Sequence, residues 1–398
     1  MKVLMIAPQP WFSPRGTPIS VLHRLRTVSK LGHEVDLLTY HLGEDVPIDR
    51  VNIIRIPKVP FVKKIAVGPS KIKIVLDLLL IYKAVRLLSK NTYDLIHSHE
   101  EAGFFSTYLA RKYNTLHLYD MHSSLPQQLT NFKFTKLRFL INTFEKLERW
   151  TITNADAVIT ICPELFEYVQ RLFPQKYQVL IENVADNSQI FENKPTEPQA
   201  LREKYNLDDN IVILYAGTFE PYQGLDLLIE SSQSICKQNP RVSFLLVGGN
   251  PQQVTDYQKL VQEHHLTDRF IFTGSVPPEQ VPAFLEIADI LVSPRIEGNN
   301  TPLKIYSYLR SGKPIVATRH ITHTQVLNDE VAILTDCTPD SFAEGLRKLI
   351  DDKNLRRKLA KKAQKLAEEK YSYAAYFSKT KKVYDMLERK RIEALERN

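Results

Sequence analysis

The feature that most restricts this chain is an alternation. Short, nearly continuous Val/Ile/Leu runs are separated by amphipathic stretches of helical length. The runs fall at 2–8, 34–40, 51–56, 94–99, 115–120, 157–162 and 178–183, then at 211–216, 242–247, 270–273, 290–294, 314–318 and 331–334. Runs that are apolar at successive positions fit strands buried on both faces of a parallel sheet. Parallel strands need crossovers, and the helical stretches supply them as right-handed βαβ units. The polar stretch after residue 185, with Pro195 and Pro198, interrupts the pattern as a linker does. The expectation is an α/β chain of two tandem doubly wound Rossmann-like domains facing a cleft. Residues 1–185 form the first domain, 186–209 the linker and 210–375 the second. A charged C-terminal helix over 376–398 is expected to pack back on the first domain.

The net charge is +8 and unevenly placed. Between Arg55 and Lys90 there are nine Lys/Arg and one acid, Asp77, so this segment alone equals the whole excess. It is also strongly aliphatic, reading VPFVKKIAVG and then KIKIVLDLLLIYKAVRLL. Basic and aliphatic residues interleaved favour an anionic membrane surface over nucleic acid. The plain alternative is a helix with its apolar side in the core and its lysines in water. No apolar run is long enough to span a bilayer. The opening KVLMIAP is too short and wrongly flanked for a signal peptide. Cys162, Cys236 and Cys337 are odd in number and far apart, so neither a disulfide framework nor a zinc motif is indicated. A cytoplasmic protein, peripheral on the cytoplasmic membrane, is expected.

In doubly wound sheets ligands bind outside the carboxyl ends of the strands. After the first run, Gly16 and Thr17 open a helix whose free N–H groups suit a phosphate. No G-x-G-x-x-G and no Walker A sequence is present. His122 follows another strand, and His99 and Glu100 follow a third. In the second half, Gly217, Thr218, Gln223 and Gly224 lie in a loop between a strand and a helix. Gly274, Ser275 and Val276 end the next strand but one. Then comes Arg295-Ile296-Glu297-Gly298-Asn299-Asn300-Thr301-Pro302-Leu303-Lys304, read as a loop and a helix starting near Pro302. Thr301 is expected to cap that helix, with Lys304 at its third position. A cation there opposes the helix dipole, so Lys304 is read as held for an anion, with Arg295 serving the same charge. No D-x-D pair occurs, which argues against a metal-held diphosphate.

Taken in order, SPRGTP, LGHEVDLLT, DLIHSH, DMHSSLP, ADAVITIC, GTFEPYQGLDLLI, FTGSVP, ADILVSP and TPLKIYSYLRSGKPIVAT resemble a family-4 retaining glycosyltransferase of the GT-B fold. The resemblance covers almost the whole chain. It implies that the first domain binds the acceptor and the second a nucleotide sugar. Gly16 and Thr17 would lie under the donor diphosphate, and His122, the catalytic candidate, beside the transferred hexose. Asn299, Asn300, Thr301 and Pro302 would meet the sugar and phosphates, and Gly274, Ser275 and Val276 the base. His99 and Glu100 would face the acceptor, a lipid-linked sugar or polysaccharide. Transfer would retain configuration by front-side displacement, the donor phosphate taking the acceptor proton, with neither cofactor nor active-site metal.

Four positions depart from the family pattern. Where the family has Arg and Lys in the GTFEPYQG loop, Thr218 and Gln223 stand. Its second signature Glu is Ser307, and the first slot is Asn299, with Glu297 two residues earlier. A hydroxyl can still bond a ribose, but without charge assistance. These changes motivate an alternative, a nucleotide-sugar-binding partner without transfer activity. A third reading, an epimerase or phosphorylase-like enzyme on the same architecture, lacks the lysine context of a pyridoxal site.

Overall fold

A computed structural model describes residues 1–13, 16–60, 62–63, 65, 70–126, 138–185, 197–207 and 209–396. Half of the expected linker (186–196 and 208), residues 14–15 of the SPRGTP loop, and Lys64 with 61 and 66–69 of the basic segment lie outside them. The chain forms two compact units, Met1–Asn183 with Tyr376–Asn398, and Val184–Ala375.

The first unit holds β1 (Lys2–Ala7), α1 (Gly16–Lys30), β2 (Glu34–Thr39), β3 (Val51–Arg55), α2 (Lys71–Leu88), β4 (Leu95–His99), α3 (Ala102–Lys112), β5 (Leu116–Met121), α4 (Arg138–Asn154), β6 (Ala157–Thr160), α5 (Pro163–Leu172) and β7 (Gln178–Leu180). Its sheet is parallel, in the order β3-β2-β1-β4-β5-β6-β7. All of β4 is buried, and β1 and β5 are buried beyond their first residue, as unbroken apolar runs require. The strand order reverses between β1 and β4. Gly16 and Thr17 follow β1 and Glu100 follows β4, so these loops flank the switch point where such sheets bind ligands.

The second unit holds α6 (Pro198–Lys204), β8 (Ile211–Ala216), α7 (Leu225–Gln238), β9 (Val242–Val247), α8 (Pro251–Glu263), β10 (Phe270–Gly274), α9 (Val281–Ile287), β11 (Ile290–Ser293), α10 (Leu303–Arg310), β12 (Ile315–Thr318), α11 (Ile321–Thr324), β13 (Ile333–Thr335), α12 (Pro339–Asp351) and α13 (Lys353–Lys370). Its sheet is again parallel, ordered β10-β9-β8-β11-β12-β13. Strand alternation sends Val212, Leu214 and Ala216 into one core cluster and Ile213 and Tyr215 into another. Two buried faces explain why β8 reads IVILYA with no polar alternation. The switch point lies between β8 and β11. All thirteen expected strands are present within a few residues of their sequence bounds.

Two differences concern the segments around these units. Part of the expected linker is ordered: Pro198–Lys204 is helical, and Leu201 and Leu207 are buried in the second unit's core. The last helix, α14 (Tyr373–Glu396), starts earlier than 376. From Tyr376 onward it belongs to the first unit, where Tyr384 bonds His97 and Arg391 reaches Asp94.

Candidate functional site

In the first unit, α1 opens on Gly16 at φ +44°, and a Cβ there would meet nothing within 4 Å. That backbone suits glycine and leaves its amide approachable. Thr17 Oγ1 donates to Glu100 Oε1 at 3.0 Å, a bond that spans the switch point. Behind it, β4 and β5 pair in a register that sets His99 opposite Asp120. His97, His99 and Asp120 are fully buried, and His122 nearly so. His99 Nδ1 lies 2.9 Å from His122 Nε2, and His122 Nε2 3.4 Å from Asp120 Oδ1. Arg24 Nε donates to Asp120 Oδ2 at 2.9 Å. His97 closes the network between Asp120 and the Tyr384 hydroxyl, at 3.3 and 2.8 Å.

Burial alone would raise the Asp120 pKa. Arg24, then His122, His97 and His99, outweigh it and hold the carboxylate well below its ordinary range. Burial pushes His122 down to about 4 and His99 well below 6.5, with Asp120 opposing in both cases. The network is therefore one carboxylate, one guanidinium and neutral imidazoles. Sequence reading picked out His122, His99 and Glu100 but passed over Arg24 and Asp120. A signal existed for Arg24: it sits within the buried Val21, Leu25 and Val28 stripe of α1, where a cation requires a partner.

His97, His99 and Asp120 also bring one donor atom each within 4.8 Å of one another, the group among the described residues best placed for a cation. A divalent ion there would share Asp120 with the guanidinium of Arg24 and bury excess positive charge. The hydrogen-bonded network engages Asp120 Oδ2 through Arg24 and His97, while His99 Nε2 and Asp120 Oδ1 have no hydrogen-bond partner among the described residues.

In the second unit, β8 ends in Ala216 and the loop runs through Gly217 and Thr218 to a single 3₁₀ turn, Pro221–Gln223, closed by Gly224 at φ +72°. This loop meets the one after β11. Ile296 N donates to Tyr222 O at 3.1 Å, and a Cβ on Gly224 would lie 2.1 Å from Pro294 O. Lys304 reaches into the contact. Its Nζ donates to Gln223 Oε1 at 3.0 Å, stands 3.7 Å from the Tyr215 ring centroid, and would be 3.3 Å from a Cβ on Gly217. Gln223 Nε2 in turn reaches Thr218 Oγ1 at 3.4 Å, and the Tyr215 hydroxyl donates to Thr218 O at 2.6 Å. Arg295 packs over Tyr222 at 5.0 Å and donates from Nε to Glu297 O at 2.7 Å. Gly298 leaves room for it, since a Cβ there would lie 2.3 Å from Nη2.

Among the described residues no carboxylate pairs with Lys304 or Arg295. Burial, then Arg295, push the Lys304 ammonium well below its ordinary pKa, and burial lowers Arg295. Two cations held by aromatic faces and carbonyl oxygens make a site short of negative charge.

The helix start differs from expectation. Helix α10 begins at Leu303 with Pro302 in the cap position, so Lys304 is its second residue and Thr301 lies one residue outside the cap. Proline fixes the extended-to-helix turn itself, which displaces Thr301 from capping. The Thr301 side chain is buried, and its hydroxyl has no hydrogen-bond partner among the described residues. Asn299 O accepts from Gln325 Nε2 at 2.6 Å, with Asn300 next in the loop. Ser307 lies one turn along α10, partly buried. Glu297 is exposed. Gly274, at φ +68°, ends β10 and accepts from Gly248 N at 2.9 Å; Ser275 is exposed and Val276 half-buried. His323 was missed by sequence reading. It bonds Ser293 Oγ at 2.8 Å and Thr318 Oγ1 at 3.0 Å, and burial pushes it down to about 3.

The family model described as "Glycosyl transferases group 1" matches residues 198–366, and that described as "Glycosyltransferase Family 4" matches residues 14–186. Alpha-D-kanosaminyltransferase of Streptomyces kanamyceticus is 25% identical over 295 residues, 70% of this chain and 74% of that protein. Two solved structures share the fold over nearly all of both chains. Sucrose-phosphate synthase from Thermosynechococcus elongatus superposes with a TM-score of 0.78 at 21% identity, covering 97% of this chain and 98% of that one. Anabaena HepE in complex with UDP-glucose does so with 0.72 at 17%, covering 97% and 100%.

Proposed function

The chain belongs to the family-4 glycosyltransferases of the GT-B fold and uses a nucleotide-sugar donor; from that premise we propose that it moves a hexose-type sugar to a lipid-linked or polysaccharide acceptor with retention of configuration and without an active-site metal. One observation carries the donor half of this reading. Lys304 and Arg295 stand at the β8/β11 switch point with no carboxylate partner among the described residues, beside the Gly217–Gly224 loop. In this chain the diphosphate is held by Lys304, whose amine stands beside Gln223, by Arg295, and by backbone N–H groups before α10. Gly274, Ser275 and Val276 take the base, and Asn299, Asn300, the free hydroxyl of Thr301, and Ser307 take the sugar and ribose. UDP is the first nucleotide to try, since HepE was solved with UDP-glucose.

In the first unit, His122 lies beside the transferred sugar, Gly16 and Thr17 beside the diphosphate, and His99 and Glu100 on the acceptor side. A buried, neutral His122 donates a hydrogen bond to sugar or phosphate without adding charge. The acceptor proton goes to the donor phosphate.

The protein works in the cytoplasm, peripheral on the membrane through residues 55–90. Helix α2 supports this: Leu76, Leu80, Ala84 and Leu88 face the core, while Ile74, Val75, Leu78 and Tyr82 are 47–63% exposed. Exposed Lys71 and Arg86 flank that stripe. No described helix is long and apolar enough to cross a membrane.

A thermal-shift series with UDP, GDP, ADP and their sugars tests the donor site. Ligand at about 100 times its Kd adds about 2.7 kcal/mol of stability. If every nucleoside diphosphate leaves the melting temperature where it was, the reading fails. The alternative, binding without transfer, rests on Thr218 and Gln223 in place of cations and Ser307 in place of a carboxylate. Sugar transfer to any acceptor excludes it.

A further inference from the structure

Helix α2 turns two ionisable side chains inward, Lys73 and Asp77, one helical turn apart. They lie on the same helix as the buried Leu76 and Leu80, while Ile74, Val75 and Leu78 face outward. Lys73 Nζ lies 3.3 Å from Glu101 Oε1, and Asp77 Oδ1 accepts from the Tyr40 hydroxyl at 2.5 Å. Tyr40 follows β2 and Glu101 follows β4, so both partners sit at the ligand-binding ends of the sheet. Between His99 and Glu101, Glu100 holds φ +50°, the left-handed region, where the Cβ of an L residue crowds the following carbonyl oxygen. Such a conformation persists where surrounding contacts fix it. Here they carry the Glu100 carboxyl onto Thr17 Oγ1.

We propose that Lys73 and Asp77 are positioning residues which, through Glu101 and Tyr40, fix the place and the proton occupancy of the Glu100 carboxyl. This rests on the reading of Glu100 as the acceptor-side carboxyl. The charged and titratable groups around it are Lys73 and Asp77 from α2, Tyr40 from the end of β2, Glu101 from its own turn and Asp120 from β5, with Thr17 from α1 as hydrogen-bond donor. Glu100, Glu101 and Asp77 share the one ammonium of Lys73. Burial, then Glu101, raise Glu100 to about 7, with Lys73 and Thr17 pulling down. Asp77 is also raised to about 7, by burial and then Glu101. A carboxylate touching Thr17 would oppose a diphosphate at the start of α1, so the proton on Glu100 matters to both substrates. Lys73 and Asp77 act on it with opposite sign.

The test follows the infrared carbonyl band of protonated carboxyl groups against pH in the full-length protein. The wild type should show a component titrating near neutral pH that shrinks in E100Q. K73Q should move the remaining midpoint up by one unit or more, D77N should move it down, and K73R should leave it in place. A side chain that merely supports the fold would not give shifts of opposite sign with rescue by the conservative variant. Midpoints unchanged in both K73Q and D77N, or both moved the same way, would overturn the proposal. If K73Q melts early, D77N and K73R decide alone, on whether the midpoint falls and stays respectively. Failure of the underlying reading looks different: E100Q would transfer sugar as well as the wild type while the titration shifts remained.

Discussion

The ammonium of Lys304 stands 3.7 Å from the centre of the Tyr215 ring, a cation on an aromatic face at the carboxyl end of β8. The ring is part of the buried core, so the cation's position is set by a rigid strand and not by a mobile loop. This arrangement holds the Lys304 amine beside Gly217 with no carboxylate partner among the described residues, and burial and Arg295 lower its pKa, so an anion would favour its protonated form.

Replacing Lys304 with alanine should therefore weaken nucleoside diphosphate binding and change little else. A charge-assisted hydrogen bond contributes about 1.5–3 kcal/mol, so the affinity should fall about 10- to 150-fold. Calorimetric titration with UDP or GDP, whichever binds the wild type, measures it. Unchanged affinity would remove Lys304 from the donor site.

Gly224→Ala places a methyl group 2.1 Å from the Pro294 carbonyl oxygen at a left-handed φ. Backbone must move, and the two loops across the β8/β11 switch point separate. Donor affinity should fall with the melting temperature. Gly16→Ala is the control, since its Cβ meets nothing and only the strain of φ +44° remains. Its melting temperature should fall less than that of G224A.

Arg24→Met should be among the costliest single changes in the first unit. It leaves Asp120 buried, charged and without its guanidinium. Breaking one side of a buried pair costs about 3–5 kcal/mol. Urea unfolding at neutral pH would show it; a cost under about 1 kcal/mol would mean that Asp120 takes up a proton or water instead.

The pH dependence of stability should separate two buried groups of opposite sign. His323 is held at about 3 by burial, against 6.5 when unfolded. Between those values the unfolded chain binds the extra proton, so stability is lost as pH falls from about 6.5. Glu148 is raised to about 7 by burial, with Tyr168 and Ser124 opposing. Between about 4.3 and 7 the folded chain binds the extra proton, so stability is lost as pH rises. H323N should narrow its gap to the wild type as the medium becomes acid, and E148Q should widen its gap. Each slope approaches about 1.4 kcal/mol per pH unit. Denaturant midpoints at pH 7.5, 6 and 5 read both.

The fold was legible because burial on both faces of a sheet leaves a continuous apolar trace. β8 shows this as IVILYA, and β4 needs only the polar tail of LIHSH to mark where its ligand end begins. Loop glycines were legible for a related reason, since Gly16 and Gly224 occupy backbone that other residues avoid. Side-chain partnerships were not legible. Asp120 meets His99 through strand register, and Arg24 meets Asp120 across 96 residues of chain. The helix cap was misplaced by one residue because Pro302 and Thr301 are both good helix-start residues, and only the backbone angle at Pro302 decides between them. The direction of Lys304, toward Gln223 and Tyr215, follows from that one-residue shift and from the space over Gly217.

The two sides of α2 impose unequal demands on mutation over time. Positions 74, 75 and 78 can drift among apolar residues, and Tyr82 is tied only to exposed Arg86 of its own helix among the described residues. Positions 73 and 77 cannot drift alone, because each is matched to a side chain on another strand end. In diverging descendants of this chain, residues 73 with 101 and 77 with 40 should therefore change together or not at all, while the outward stripe keeps its character and loses its spelling.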